Sequence, residues 1–124
     1  MRFMVIVKAN KESEAGVLPS TEILAEMTTF NEELVKAGVM LAGEGLHASS
    51  KGARVRFAGK QRTVIDGPFV ETREVIGGYA LVEAKSNDEA LALATRFMDL
   101  HRIHWPAFEG ECEVRPLENM EPPK

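Results

Sequence analysis

The chain places its least ordinary combination of residues at Asp66-Gly67-Pro68-Phe69, where a constrained turn directly follows a carboxylate. A proline fixes its own φ, donates no backbone hydrogen bond, and pushes the residue before it towards an extended conformation. We therefore predict a sharp turn that holds the Asp66 side chain at the end of a strand. A carboxylate held and partly desolvated in this way suits a general base. The alternative is structural, because Asp in a turn commonly accepts hydrogen bonds from nearby backbone amides.

His47 is the second residue with candidate acid–base chemistry. It follows the carboxylate of Glu44 in a glycine-containing segment, and histidine changes its charge near neutral pH. If this segment meets the Asp66 turn at one mouth of the fold, Asp66 and His47 form a pair of catalytic residues. The alternative is that His47 is an exposed loop residue.

Further residues around these two could line a cleft for a small molecule. Tyr79 follows two glycines, where the missing side chains would leave room for a ligand that the phenol could orient. The alternative for Tyr79 is core packing with a hydrogen-bonded hydroxyl. Arg73 could meet an anionic ligand, although its charged run also fits a solvated face. The predicted ligand-binding residues are Glu44, Gly67, Pro68, Phe69, Arg73, Gly78 and Tyr79.

His101 and His104 lie three residues apart, near acidic residues and a thiol that a metal could use. A zinc site needs three or four well-placed ligands, and only these two are close in register, so we predict no metal site. The sequence also lacks the motifs of phosphate-binding loops, dinucleotide folds, nucleophile elbows and zinc proteases. We therefore expect no cofactor.

Length, charge and cysteine content limit the class of protein. The 124 residues suit one domain, which we predict at residues 1–117, followed by a flexible charged tail at 118–124. A net charge of −4 opposes general binding to nucleic-acid backbones. The single cysteine, Cys112, favours a reducing compartment. Neither a signal-peptide pattern nor an apolar run of about 20 residues is present, so we expect a soluble cytoplasmic protein.

The hydrophobic pattern predicts the elements that must position these residues. They are a strand at 2–8, a helix at 20–37, a strand at 39–42, hairpin strands at 54–57 and 62–65, a strand from 75 to near 84, a helix at 86–100 and an edge strand at 111–117. This order predicts a ferredoxin-like α+β fold, βαββαβ with an inserted β-hairpin. Residues 9–18 are predicted to form a surface loop without specific chemistry.

Local signals refine this outline at three points. Ser86 and Glu89 have the spacing of a capping box at the start of the second helix. The pair Gly77-Gly78 predicts a bulge, or a close approach by another backbone or a ligand. The hairpin carries basic residues at alternate positions, which is typical of one solvated face.

The first strand is apolar on both of its sides, with Phe3 and Val5 on one side and Met4 and Ile6 on the other. Two helices can cover only one face of such a sheet, so the second face needs another layer. A second copy of the chain is the simplest source of that layer. We therefore predict a homodimer in which sheet packs on sheet.

Three segments carry a family resemblance: Glu44-Gly45-Leu46-His47, Asp66-Gly67-Pro68-Phe69 and the residues from Glu71 to Tyr79. Together they resemble the YCII-related family in its DGPF-domain branch. The resemblance covers nearly the whole chain. It implies ferredoxin-like subunits in a dimeric α/β-barrel, in agreement with the apolar faces of the first strand. From the wider family it also implies activity through a His–Asp pair whose histidine lies on the first helix, and that family includes a dehydrochlorinase-type member.

The chain departs from that pattern because no histidine lies between Pro19 and Ala37, so the role of the helix histidine cannot be transferred to any position here. Two functional hypotheses follow. The first is a cleft near Asp66 that binds a small polar or anionic molecule, with lyase-like or hydrolytic acid–base activity. The alternative is a non-enzymatic interaction or sensing module linked to transcription regulation, since members of the DGPF branch occur beside sigma factors.

Overall fold

The computed structural model describes residues 1–69, 75–105 and 108–118, which form an α+β fold. The strands are β1 (Arg2–Lys8), β2 (Met40–Gly45), β3 (Ala53–Ala58), β4 (Gln61–Asp66), β5 (Ile76–Glu83) and β6 (Cys112–Pro116). The helices are α1 (Lys11–Glu14), α2 (Thr21–Lys36) and α3 (Asn87–His104), and a 3₁₀ turn covers Ser49–Lys51. The predicted order of the long elements, including the inserted hairpin, is confirmed.

Four strands form one antiparallel sheet in the order β2-β5-β1-β6, and β3 and β4 pair separately as a hairpin. In the central strand β1, Val5 lies opposite Ala80 of β5 and Val114 of β6. This order, with α2 and α3 connecting the strands, is that of a ferredoxin-like fold. β6 lies at an edge of the sheet, as its proline predicts.

The hydrophobic core lies between the sheet and the helices. Phe3, Val5 and Val82 point to the helix side and pack with Ala90 and Ala94 of α3. These positions alternate along each strand, because successive side chains of a strand point to opposite faces. Burying each of the larger side chains stabilises the fold by about 1.5–3 kcal/mol.

The opposite face of the sheet carries the other set of apolar residues from the same strands. Met4 lies opposite Leu81, and Ile6 lies opposite Tyr79, in the β1–β5 register. All four side chains are partly buried. We call these four residues the open face, because α2 and α3 pack on the other side of the sheet.

The predicted start signals of the two long helices and the predicted stop signal of α2 are confirmed. The Ser20 hydroxyl accepts a hydrogen bond from the backbone N–H of Ile23 (3.3 Å) at the start of α2. Gly38 follows that helix with φ +72°, a backbone conformation that favours glycine. At the start of α3, the Ser86 hydroxyl accepts from the N–H of Glu89 (3.2 Å). The Glu89 carboxylate accepts from the N–H of Lys85 (3.2 Å), so only the Ser86 half of the predicted capping box is formed.

The prediction that α3 ends near residue 100 is wrong, because the helix continues through His104. The proline at position 106 restricts only the residue directly before it. That residue, Trp105, has φ −143° and ψ 76°, outside the helical region, and its N–H donates to the carbonyl of His101 (2.8 Å). The last helical turn can therefore extend up to Trp105.

The prediction of an unstructured loop at 9–18 also needs correction, because α1 lies inside it. Asn10 caps this short helix through its side-chain oxygen, which accepts from the N–H of Ser13 (2.9 Å). The Ser13 hydroxyl in turn accepts from the N–H of Asn10 (2.8 Å). This reciprocal capping holds Glu14 at the end of α1.

The hairpin turns at Gly59 and Lys60, where Gly59 has φ +61°. Arg54 and Arg56 lie on one side of the hairpin, whereas Arg62 lies on the other side, opposite Phe57. The basic residues therefore do not share one face.

The structure extends to Glu118, so most of the predicted tail lies outside the described residues. Within the described ranges, no helix has the length and apolar character needed to span a bilayer.

Candidate functional site

Asp66 is the last residue of β4 and lies opposite Ala53 at the base of the hairpin. Its side chain is exposed. Within the part of the chain that the structure describes, the carboxylate makes no hydrogen bond or ion pair. The amide contacts of a purely structural turn residue are therefore not seen there. The prediction that the carboxylate is partly desolvated is wrong, because the side chain is open to solvent.

The turn after Asp66 is held by its backbone. The Gly67–Pro68 peptide bond is cis. The N–H of Gly67 donates to the carbonyl oxygen of Gly52 (2.9 Å). A Cβ atom at Gly67 would overlap the carbonyl oxygen of Ser49 and lie 2.6 Å from its carbonyl carbon. The sequence requires glycine at this position because the Ser49 backbone occupies the space of a side chain.

Ser49 is buried and connects three segments that are distant in sequence. Its N–H donates to Oε1 of Glu14 (2.9 Å), and its hydroxyl donates to Oε2 of the same carboxylate (2.5 Å). The Ser49 hydroxyl also accepts a hydrogen bond from the N–H of Phe69 (3.1 Å). We call Glu14, Ser49, Gly67 and Phe69 the Ser49 cluster. It fixes the end of α1 and the turn after Asp66 to the same 3₁₀ turn.

The ring of Phe69 also joins the hairpin to this cluster. The guanidinium carbon of Arg54 lies 3.8 Å from the centre of the Phe69 ring, on its face. A cation over an aromatic face is stabilised by about 0.5–2 kcal/mol, depending on its exposure. Phe69, which was predicted to bind a ligand, is thus engaged through both its backbone N–H and its ring.

Gly77 and Gly78 allow the close approach of neighbouring backbones, as predicted. The β1–β5 register shifts between Val7 and Lys8, which leaves Gly77 as the extra residue of a bulge. A Cβ atom at Gly77 would lie 3.3 Å from the backbone of Ala9. A Cβ atom at Gly78 would lie 3.0 Å from the carbonyl oxygen of Glu44. Backbone atoms therefore occupy the space left by the two missing side chains.

The other predicted ligand residues lie on β2, on β5 and in the loop after β2. Tyr79 is half-buried on the open face, where it lies opposite Glu44 of β2. Glu44 and His47 are exposed, and His47 lies two residues before Ser49. The turn after Asp66 packs on the Ser49 backbone, so the segments of His47 and Asp66 are adjacent. Arg73 lies outside the described residues.

Glu14 and Ser49 were missed by the sequence predictions. Ser49 lies in a polar turn without a motif, and Glu14 lies in a segment predicted to be a loop. A local signal for α1 was present in Asn10 and Ser13, whose side chains cap it. The contact between Glu14 and Ser49 has no local signal, because 35 residues separate the two.

His101 and His104 lie in different environments. His101 is buried between the rings of Phe97 and Phe108, and its Nδ1 lies 3.0 Å from the carbonyl oxygen of Phe97. His104 contacts α2 instead, with Nδ1 2.8 Å from a carboxylate oxygen of Glu22. Among residues 1–69, 75–105 and 108–118, no three His, Cys, Asp or Glu side chains are grouped as metal ligands would be.

An open groove of about 650 Å³ lies between α3 and β6. Its apolar lining includes Leu91, Ala94, Met98, Phe108 and Val114, together with the thiol of the free cysteine. None of the predicted site residues that the structure describes lines this groove. This groove and the candidate chemistry are therefore in different places.

Comparisons with known proteins give a family but no activity. A model of the YCII-related domain matches residues 1–97. The chain is also similar to a protein of Rhizobium meliloti (strain 1021) that is described as uncharacterized. The two are 32% identical over 100 residues, which cover 81% of this chain and 77% of that protein. The range 1–97 includes the Ser49 cluster and the turn after Asp66.

Proposed function

The chain belongs to the YCII-related family, and we propose that it binds a small polar or anionic molecule in a cleft beside Asp66. The observation that carries the proposal is the exposed Asp66 carboxylate, which has no internal partner within the described residues. It stands at the base of a turn that the Ser49 cluster fixes in place. A polar group held rigidly but not used by the fold is preorganised for a ligand.

The proposed chemistry is proton transfer of a lyase-like or hydrolytic kind. An exposed carboxylate at neutral pH can accept a proton, and His47, in the adjacent segment, can donate one. The ligand would also meet Glu44, Tyr79, Arg73 and the turn residues from Gly67 to Phe69. The sequence of this turn is the basis for placing the chain in the DGPF branch of the family.

The proposal includes a homodimer in a reducing cytoplasm. The open face supports the dimer, because the apolar side chains of Met4, Ile6, Tyr79 and Leu81 lie on the side of the sheet away from the helices. Packing two such faces together would give a dimeric α/β-barrel. The free thiol of Cys112 supports a reducing compartment.

The second candidate is a non-enzymatic interaction or sensing module linked to transcription regulation. It is favoured by the arrangement around Asp66, where the described residues provide no titratable group paired with the carboxylate. On this hypothesis, the Ser49 cluster serves only to shape a surface. Turnover of a bound ligand would separate the two candidates, because a sensing module binds its ligand without chemistry.

The test is a thermal-shift screen of the purified protein against a panel of polar and anionic metabolites. A ligand that binds only the native state raises the melting temperature, by an amount that follows its concentration and affinity. We expect Asp66→Asn to melt like the original protein but to lose at least about half of the shift given by a ligand. Asp88→Asn, the same change at an exposed position at the start of α3, should keep the shift. An unchanged shift in Asp66→Asn would remove Asp66 from the site.

A further inference from the structure

The β3–β4 hairpin presents its apolar side to solvent. Val55 lies opposite Val64, and Phe57 lies opposite Arg62, so these side chains share one face. The exposed fractions are 59% for Val55, 73% for Phe57 and 62% for Val64. A hairpin on the surface of a monomer usually turns its polar side outwards. We call Val55, Phe57 and Val64 the hairpin face, and its apolar character indicates that it is covered by another surface.

The other side of the hairpin is used within the chain. Ile65, which lies opposite Arg54, is partly buried. Arg54 itself packs on the Phe69 ring, and the N–H of Gly67 donates to the carbonyl of Gly52 at the base. These contacts fix the base of the hairpin and leave the hairpin face pointing away from its own chain. An isolated two-stranded hairpin is only marginally stable, so a cover on this face would stabilise it.

The charge of the hairpin indicates what that cover is. The hairpin, residues 53–66, contains four basic residues and one acidic residue, Asp66, so its formal charge is +3. The rest of the chain has the other 11 of the 15 basic residues and 18 of the 19 acidic residues, so its formal charge is −7. Two hairpins would repel each other, whereas a hairpin and the rest of another copy attract. The charge therefore favours the body of a second copy over hairpin–hairpin packing.

We propose that the β3–β4 hairpin is an arm that packs Val55, Phe57 and Val64 on the acidic body of a second copy of this chain. In a two-fold dimer each copy provides one arm and receives one, so the contact occurs twice. The inference rests on the proposed homodimer and adds to it an interface separate from the open face. Its tests measure dimerisation, so their outcome is read separately from ligand binding at Asp66.

The first test is sedimentation equilibrium of the full chain at micromolar concentration. Phe57→Ser should raise the dimer dissociation constant about tenfold or more, because burying a phenylalanine side chain contributes that much to association. Leu18→Ser is the matched control, since Leu18 is an exposed apolar residue (81%) outside the hairpin. The control should leave the dissociation constant unchanged. Phe57 is exposed in the single chain, so its replacement should leave the melting curve at low concentration unchanged.

A second variant tests the charge argument. Arg62→Glu changes the sign of a charge on the same side of the hairpin as Phe57. We expect weaker dimerisation and a smaller effect of salt, because salt screens the attraction between the arm and the acidic body. An equal salt effect in the original protein and in Arg62→Glu would contradict the charge argument.

Ile6→Glu on the open face separates this inference from the proposed homodimer. If Ile6→Glu dissociates the dimer but Phe57→Ser and Arg62→Glu leave it intact, the proposed contact of the arm is overturned and the open-face interface is kept. A monomer in all variants, including the original sequence, would overturn both. If the protein binds phosphatidylserine vesicles through the hairpin face, and Phe57→Ser does not affect dimerisation, the hairpin face binds membranes. That result would overturn the proposed contact of the arm with a second copy.

Discussion

At the scale of single residues, the turn after Asp66 accepts only glycine at position 67. The Cα of Gly67 faces the carbonyl group of Ser49, with no space for a Cβ atom between them. Backbone atoms cannot move aside as the end of a flexible side chain can. The identity of Gly67 is therefore determined by a residue 18 positions earlier.

Gly67→Ala should destabilise the fold by about 2–4 kcal/mol, because the new methyl group forces the turn and the Ser49 backbone apart. Gly45→Ala is the control, since no atom lies within 4 Å of a Cβ atom built at Gly45. Urea unfolding followed by circular dichroism gives both free energies of unfolding. Similar losses in the two variants would show that Gly67 is not tightly packed.

Cys112 gives a prediction at high pH. Burial, and secondly the charge of Glu111, raise the pKa of the Cys112 thiol above its ordinary value. The unfolded chain then releases the thiol proton at a lower pH than the folded chain does, so stability falls as pH rises through the unfolded pKa of about 8.5. The free energy of unfolding of the Cys112→Ala variant should fall less over this range. Urea unfolding between about pH 7 and pH 10 measures the difference, and parallel curves would contradict it.

At the scale of elements, the Ser49 cluster joins α1, the 3₁₀ turn and the turn after β4. Ser49 donates twice to the Glu14 carboxylate and accepts once from the N–H of Phe69. These segments come from the connection between β1 and α2 and from the two ends of the hairpin insertion between β2 and β5. The cluster therefore stabilises the end of the sheet where the connections meet.

A double-mutant cycle of Ser49→Ala and Glu14→Ala measures this connection. Each change should cost about 1–3 kcal/mol, because it leaves a polar group without its partner. The losses should not add, and a coupling of about 1 kcal/mol is expected for residues in direct contact. Ser50→Ala, at an exposed neighbouring position, should be nearly neutral. Additive losses would show that the two residues act independently.

At the scale of the whole molecule, the parts that the sequence predicts are those with local signals. Alternating apolar residues predict the strands, and Ser20, Gly38 and Ser86 mark the helix ends because caps act within one turn. The sheet order follows from the short list of topologies compatible with that element order. The Ser49 cluster was not predictable in this way, because its bonds join residues 20 and 35 positions apart.

The candidate site was predictable only in part, for the same reason. Proline chemistry predicts the turn after Asp66, and the paired glycines predict the bulge at Gly77. Whether Asp66 is exposed or hydrogen-bonded depends on the segments that pack around it, which no local pattern specifies. The hairpin shows a similar limit, because alternation reveals two sides but does not show which one points outwards.

The separation of charge between the hairpin and the rest of the chain has a consequence for kinetics. A positive end on a negative body makes the molecule a dipole, and two such molecules turn towards each other before they touch. Electrostatic steering of this kind raises the association rate and weakens steeply with ionic strength, whereas dissociation depends on short-range packing. The arrangement would therefore let a chain with a net charge of −4 meet its own copy quickly despite their overall repulsion.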